Sequence, residues 1–436
     1  MRCIGIDIGS SSIKGGVLNV ATGRVEHIEK VAFPGPVNSL PSGFHEVSPA
    51  EIVQSTRQVL HSLLQAAPDA EHIRFSSQMG GVLLLNQQQR PITNYLSWRD
   101  QRSLLPAPDS NTPLLHQLRA SWTDQQYEDL GKELKPGSAT TLLYWLAQAR
   151  QLPQHAVPVT VGDYVIAELC GAVPRMHRSQ GIGMLNLQTN DWHHEAFAAA
   201  GIDGLHWPEP IAESEPVGQL SFNGRRLNCF AAIGDQQAAL LGIDLQSSEL
   251  SINCSTGSQV SQITSTFQPG NCQTRCWFNG QFLNTVTHIP AGRSLTILEA
   301  LLTELPRSAG ITLSNSWQLI AAATECDTSN GLCCDLSFFS SAMGDAGNIS
   351  HITTENLTVG NLFCAAFDFM ADSYLECSRR LTDTPAWTQL AVSGGLVQAF
   401  PALRRRLAAR FSWPLREVAE QEETLMGLLK LAAAGH

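Results

Sequence analysis

The chain has 436 residues, enough for two or three domains of about 150–200 residues, each with its own core. Hydrophobic residues make up 43% and charged residues 15%, which excludes a disordered chain. The formal net charge of −11 argues against nucleic acid or an anionic membrane as a general partner. No apolar run approaches the ~20 residues that span a bilayer. The 11 cysteines are an odd count, no secretory leader precedes them, and a reducing cytoplasm is expected. Cys272 and Cys276 resemble a ligand pair, but no second pair follows at zinc spacing. The basic cluster Arg404, Arg405, Arg406 and Arg410 reads as the solvated face of an amphipathic helix.

Along the chain, the first elements read strand, turn, strand, turn, strand. The strands are expected over 3–8, 13–20 and 25–33, with turns at Gly9-Ser10-Ser11-Ser12 and Ala21-Thr22-Gly23. Ser48-Pro49-Ala50-Glu51 signals a helix start, with a Ser N-cap and Pro in the first turn, and the helix should run to about 65. A strand over 72–77 and an apolar run over 82–85 flank Gly80-Gly81. Residues 141–150 form the clearest amphipathic helix of the next stretch. An apolar run, Cys229 to Ile233, ends at Gly234 and leads into a helix that opens on Asp235. After about 245 the pattern restarts. Strand 249–254, the turn Ser255-Thr256-Gly257-Ser258 and strand 259–263 echo residues 3–20 as a weak internal repeat. A long helix over 359–380, a strand ending at Gly394-Gly395 and helices over 401–411 and 420–434 complete the second half. Two similar α/β domains, 1–245 and 246–436, are therefore expected.

Several short stretches carry side chains suited to chemistry. Asp7, Gly9, Ser10, Ser11, Ser12 and Lys14 lie on a strand–turn–strand. There a glycine admits an anion close to the backbone, hydroxyls and amides donate to it, and Lys14 adds charge. The same residues also suit a plain hairpin turn. Ser255-Thr256-Gly257 repeats the pattern, and Ser393-Gly394-Gly395 ends a strand before a helix. Gln78 and Met79 follow a strand end, and Trp98, Asp100 and Arg102 offer an indole beside polar fork groups. That set suits a polyol gripped by hydroxyl hydrogen bonds and ring stacking, or a salt-bridged turn beside a buried Trp. Asp235 reads either as a helix cap or as a chemically active carboxylate.

Taken in order, these stretches resemble the FGGY carbohydrate kinases of the actin-like ATPase superfamily. Asp7-x-Gly9-x-x-x-x-Lys14 is similar to the family's first phosphate loop. Gln78-Met79 and Trp98-Arg99-Asp100-x-Arg102 are similar to its sugar-site segments. Gly234-Asp235-Gln236-Gln237 resembles its catalytic-base turn, Ser255-Thr256-Gly257 its second phosphate loop, and Ser393-Gly394-Gly395 its adenosine loop. Within the family the second half most resembles the sedoheptulokinase branch, through Trp277 to Gly280, Ala342 to Ser350, Leu357 to Gly360 and Phe411 to Leu415. The chain departs from the family at Gly80, where a His often stands, and at Ala291-Gly292, where the family has Gly-Gly. It departs again at Leu396-Val397-Gln398, where a polar pair is expected.

The resemblance implies two actin-like (ribonuclease H-like) ATPase domains with an interdomain active-site cleft. It implies ATP-dependent transfer to the terminal hydroxyl of a ketose, with sedoheptulose first and xylulose, ribulose or glycerol as alternatives. A non-catalytic actin-like ATP-binding protein is the alternative of a different class. Asp235 would be the base and would need no unusual pKa. Gln78, Met79, Trp98, Asp100, Arg102 and Gln236 would bind the acceptor. Gly9, Ser10, Ser11, Ser12, Lys14, Ser255, Thr256, Gly257, Gly292, Gly394 and Gly395 would bind ATP, and Asp7 would hold Mg2+. Gly80, lacking the usual side chain, would leave room for a longer sugar. A second copy of the chain, as a homodimer, is the one macromolecular partner left open.

Overall fold

The protein is described by a computed structural model over residues 1–106, 111–418 and 422–435. The chain forms two compact units. The first takes in residues 1–244, the short stretch 274–280 and the described C-terminal residues 422–435; the second takes in 245–273 and 281–418. A single cut near residue 245 misses the two later stretches that belong with the first unit. The expected helix start at 420 lies outside the described residues, and the last helix runs Glu423–Ala433.

In the first unit the sheet order is Pro216–Phe222, Arg225–Gly234, His72–Ser77, Arg2–Ile8, Ser12–Asn19 and Arg24–Ala32. Arg2–Ile8 is antiparallel to Ser12–Asn19 and parallel to His72–Ser77. Ile4, Ile6, Ile8, Ile73 and Phe75 fill the core beneath helix Pro49–Ala66, through Ile52, Leu60 and Leu63. Their burial on both faces of the central strands explains the continuous apolar runs. Ser48 occupies the N-cap of that helix, but its side chain makes no capping bond.

The second unit repeats this plan. Its strands Phe282–Ile289, Ser258–Thr264, Glu249–Asn253, Gln389–Ser393 and Leu415–Glu417 lie in that order. Glu249–Asn253 is antiparallel to Ser258–Thr264 and parallel to Gln389–Ser393, as its counterpart is in the first unit. Helix Val359–Arg379 buries Phe363, Phe367, Met370 and Tyr374 against this sheet. The sequence echo is thus a repeat of topology.

The C-terminal helix is anchored in the first unit by Leu425, Leu428, Leu429 and Leu431, which join Leu18, Ile233 and Ala238 in one cluster. Arg404 and Arg405 stand on a solvated face as expected, while Arg406 is buried, and the cluster is laced with ion pairs. Arg404 pairs with Glu417, Arg405 and Arg406 share Asp327, Arg406 also reaches Asp368, and Arg410 holds Asp372. No helix among the described residues is long and apolar enough to cross a membrane.

Candidate functional site

In the first unit the candidate residues gather where parallel strands end. Asp7 closes Arg2–Ile8, Gln78 follows His72–Ser77, and Asp235 follows Arg225–Gly234 as the first residue of helix Asp235–Gly242. Ligand sites in α/β sheets form at such carboxyl ends. Asp235 is not the helix cap; Gly234 is. Its Oδ1 accepts the Gln236 amide at 2.9 Å, and no described residue donates to Oδ2. Burial, and then the negative charge of Asp7, push its carboxyl up to about 7. The expectation of an ordinary, fully ionised carboxylate is corrected here: a seat in the first helical turn does not offset desolvation.

Asp7 is pushed up to about 6 by burial, against a hydrogen bond from Ser76 Oγ at 2.9 Å. Among the described residues no cluster of three or more His, Cys, Asp or Glu could cage a metal. A magnesium ion that keeps water and phosphate ligands needs only one or two carboxylates. Asp7, with Asp235 near enough to feel its charge, fits that requirement. Lys14 does not stand free for phosphate, because its ammonium is paired with Glu422. Ser10 Oγ accepts from Arg99 at 3.2 Å, and the Gly9 amide donates to the Ser12 carbonyl at 3.1 Å, closing the turn. Ser11 takes the Phe33 amide on its carbonyl and leaves its side chain exposed.

Of the expected sugar residues, Trp98 is 38% exposed and Gln78 is buried, with its Oε1 unpartnered. Met79 is half-buried, and its sulfur lies where a side chain at Gly234 would stand. Asp100 and Arg102 are different. Asp100 is wholly buried, and its two oxygens accept from the Arg102 amide, Nε and Nη2 and from the His45 amide at 2.7–2.9 Å. Those four donors fill a carboxylate's acceptor positions. Arg102 also pairs with Glu46 and lies over the Phe44 ring at 4.2 Å. Both residues therefore brace the loop that presents Trp98, and the expected direct grip by their side chains is corrected.

The space expected at Gly80 is also absent. Gly80 has φ +79°, and a β-carbon there would stand 3.2 Å from Trp98 Cβ and 3.4 Å from the Gly137 carbonyl oxygen. Backbone conformation and crowding require the glycine.

Three residues that the motif reading missed complete this region. Arg275, nearly buried, donates to Gln236 Oε1 and pairs with buried Glu133. Gln180 donates to the carbonyls of Ser77 and Ile233, each at 3.0 Å, and so ties together two strand ends. Arg275 lies two residues before Trp277, but its partners Glu133 and Gln236 are 142 and 39 positions away, so no local signal marks it.

The second unit brings its own candidates together at the matching strand ends. The Cys254 amide donates to the Ser393 carbonyl at 2.8 Å, and Asn253 Nδ2 donates to Ser393 Oγ at 3.0 Å. The amides of Gly292 and Arg293 donate to the carbonyls of Ser255 and Thr256 at 3.1 and 2.9 Å. This places the start of helix Gly292–Ser308 against the loop; a β-carbon at Gly292 would be 3.0 Å from the Ser255 oxygen. Gly394 has φ +98°, and a side chain there would overlap the Cys254 carbonyl. Thr256 and Gly257 are exposed, and nothing lies within 4 Å of a β-carbon built on Gly257 or Gly395. Exposed loop backbone between two strand ends and a helix start suits an anionic ligand.

The FGGY family of carbohydrate kinases, N-terminal domain, matches residues 2–242. Gluconokinase of Bacillus licheniformis is 26% identical over 251 residues, covering 56% of this chain and 44% of that protein, less than half its length. Sedoheptulokinase of Mus musculus is 21% identical over 432 residues, covering 82% of each. The crystal structure of gluconate kinase from Lactobacillus acidophilus has a TM-score of 0.85 at 16% identity, covering 100% of this chain and 89% of that one. The fold is thus that of solved kinases of this type, two α/β domains of the actin-like, ribonuclease H-like class. With the family match extending over more than half of its residues, the chain belongs to the FGGY family of carbohydrate kinases.

Proposed function

We propose that the protein transfers the γ-phosphoryl group of ATP to a terminal hydroxyl of a small, open-chain polyhydroxylated acceptor. The observation that carries this reading is Asp235: a half-buried carboxylate at a strand-to-helix turn, with one oxygen free of protein donors. The first unit supplies the base and the acceptor residues; the second supplies the Ser255–Gly257 and Gly394–Gly395 loops for nucleotide. Asp235 takes the proton of the acceptor hydroxyl as its oxygen attacks the γ-phosphorus in line and the bond to the β-phosphate oxygen breaks, releasing ADP. Asp7 would hold magnesium, which would supply charge screening of the polyphosphate. Gln236, fixed by Arg275, and the face of Trp98 orient the acceptor.

Sedoheptulose is the first acceptor of this reading, on the strength of the second-half segments and of a sedoheptulokinase relative matched over 82% of both chains. A second reading, an acidic acceptor, is favoured by a specific side chain taken up below. The free thiols of the 11 cysteines agree with a reducing compartment.

A coupled ATP-consumption screen with sedoheptulose, xylulose, ribulose, glycerol and gluconate tests the class. Asp235→Asn is expected to lower kcat by about 10²–10⁴ while calorimetric ATP affinity holds. Near wild-type turnover in that variant would remove Asp235 as the base. Acceptor-independent ATP binding with no turnover of any acceptor would favour the non-catalytic alternative.

A further inference from the structure

Lys135 is a charged side chain of the candidate acceptor region whose chemistry the motifs leave unused. It precedes helix Ala139–Gln148, and its carbonyl accepts from Ser138 Oγ and Thr141 Oγ1 at 3.0 and 2.9 Å, which fixes its backbone. Two residues on, the Gly137 carbonyl accepts the Gly81 amide at 2.8 Å, and a side chain at Gly137 would overlap the Trp98 backbone. The segment is therefore pressed between the Met79–Gly81 turn and the Trp98 loop. On its other side stand Glu133 and Arg275, both close enough to act on the ammonium, with opposite sign. Arg275 in turn touches Gln236, the neighbour of the candidate base.

The ammonium itself makes no hydrogen bond or ion pair with any described residue. Glu133, the natural counter-ion two positions away, is taken by Arg275. A half-buried ammonium with no paired carboxylate is disfavoured unless something else supplies the negative charge. Burial also holds its pKa below the usual lysine range. Beside it, Arg275 has its Nε and Nη1 committed to Glu133 and Gln236 and adds positive field. Lys135 and Arg275 thus form one positive group in the region, and Arg275 is also close enough to act on Asp235.

We infer that Lys135 forms an anion-recognising pole in the acceptor site, so that the acceptor is an open-chain polyhydroxy acid with a carboxylate at the end remote from the phosphorylated hydroxyl. This rests on the kinase reading and sets the acidic acceptor against the ketose. A carboxylate would give Lys135 the charge partner that the protein withholds, whereas Asp235 and Asp7 would repel it. A neutral sugar of the same length would leave the ammonium unpaired and lose about 10- to 100-fold in kcat/KM.

The test compares gluconate with glucitol, which share six carbons and differ by a carboxylate against a hydroxymethyl group, with sedoheptulose as a third arm. Wild type is expected to prefer gluconate at least about tenfold. In Lys135→Met the gluconate-to-glucitol ratio should fall toward one, and Lys135→Arg should restore most of it. Calorimetry with gluconate alone should show binding to wild type and its loss in Lys135→Met and Lys135→Gln, with melting temperatures confirming folded variants. A wild-type ratio near one, preference for sedoheptulose, or an unchanged ratio in Lys135→Met overturns the assignment. If no acceptor consumes ATP, the kinase reading fails, and gluconate binding by calorimetry still decides for or against the Lys135 site.

Discussion

Burial raises the Asp235 carboxyl to about 7, while the Gln236 amide and Arg275 act against that shift. A base works only in its ionised form, so kcat/KM should fall on the acid side with a midpoint near 7 rather than near 4. A flat profile down to pH 5 would separate Asp235 from the proton transfer. Asp163 shows the same physics away from the site. Its Oδ2 accepts the amide and the hydroxyl of Thr160 in a capping box, its Oδ1 is orphaned, and burial pushes the group up to about 7. A carboxyl raised above its unfolded value stabilises fully below about pH 4, and that stability is lost as pH rises to about 7. Asp163→Asn keeps an acceptor without the charge. Its melting temperature relative to wild type should therefore climb between pH 4 and 7 and level off above. A pH-independent difference would mean that Asp163 is not titrating there.

Among the elements, the pairing of helices Asp235–Gly242 and Glu423–Ala433 deserves a direct test because the first of them begins with the candidate base. The two approach through reciprocal glycines: a methyl at Gly242 would overlap the Glu423 carbonyl, and one at Gly427 would overlap the Ala238 carbonyl. Backbone cannot yield as a flexible side chain can. Gly427→Ala should cost about 1–3 kcal/mol of stability through overpacking and lower kcat by displacing Asp235. Wild-type stability and turnover would show that the crossing can relax. In the second unit Gly394→Ala faces both a left-handed φ and the Cys254 carbonyl. It should weaken ATP binding by about tenfold or more, since strain of this kind costs about 1–3 kcal/mol, read by calorimetry. Unchanged affinity would place the nucleotide away from that loop.

At the scale of the molecule, the C-terminal residues stabilise the first unit although they lie last in the chain. Ending the chain at residue 418 removes Leu425, Leu428, Leu429 and Leu431 from their cluster, at about 1.5–3 kcal/mol for each buried side chain. The truncated protein should lose soluble first-unit structure, seen as loss of the Asp235-dependent turnover and early proteolysis within 1–244. Proteolysis confined to the second unit would contradict this. The paired α/β units, the repeated strand–turn–strand and the stretches around Asp7, Asp235 and Gly257 were legible in the sequence, because alternating apolar runs, glycines and strand-end polar groups are local signals. What the side chains do there was not legible. That Glu422 takes Lys14 and that Arg275 joins Glu133 to Gln236 depend on residues 39 to 408 positions apart, whereas the Asp100–Arg102 pair, two positions apart, is one of the two readings the sequence offers. Periodicity determines which face of an element is buried. Only the closed tertiary structure decides which charges meet, and therefore leaves Lys135 unpaired and Asp235 with a free oxygen, because pairing is set by distance in space and by the water that packing excludes.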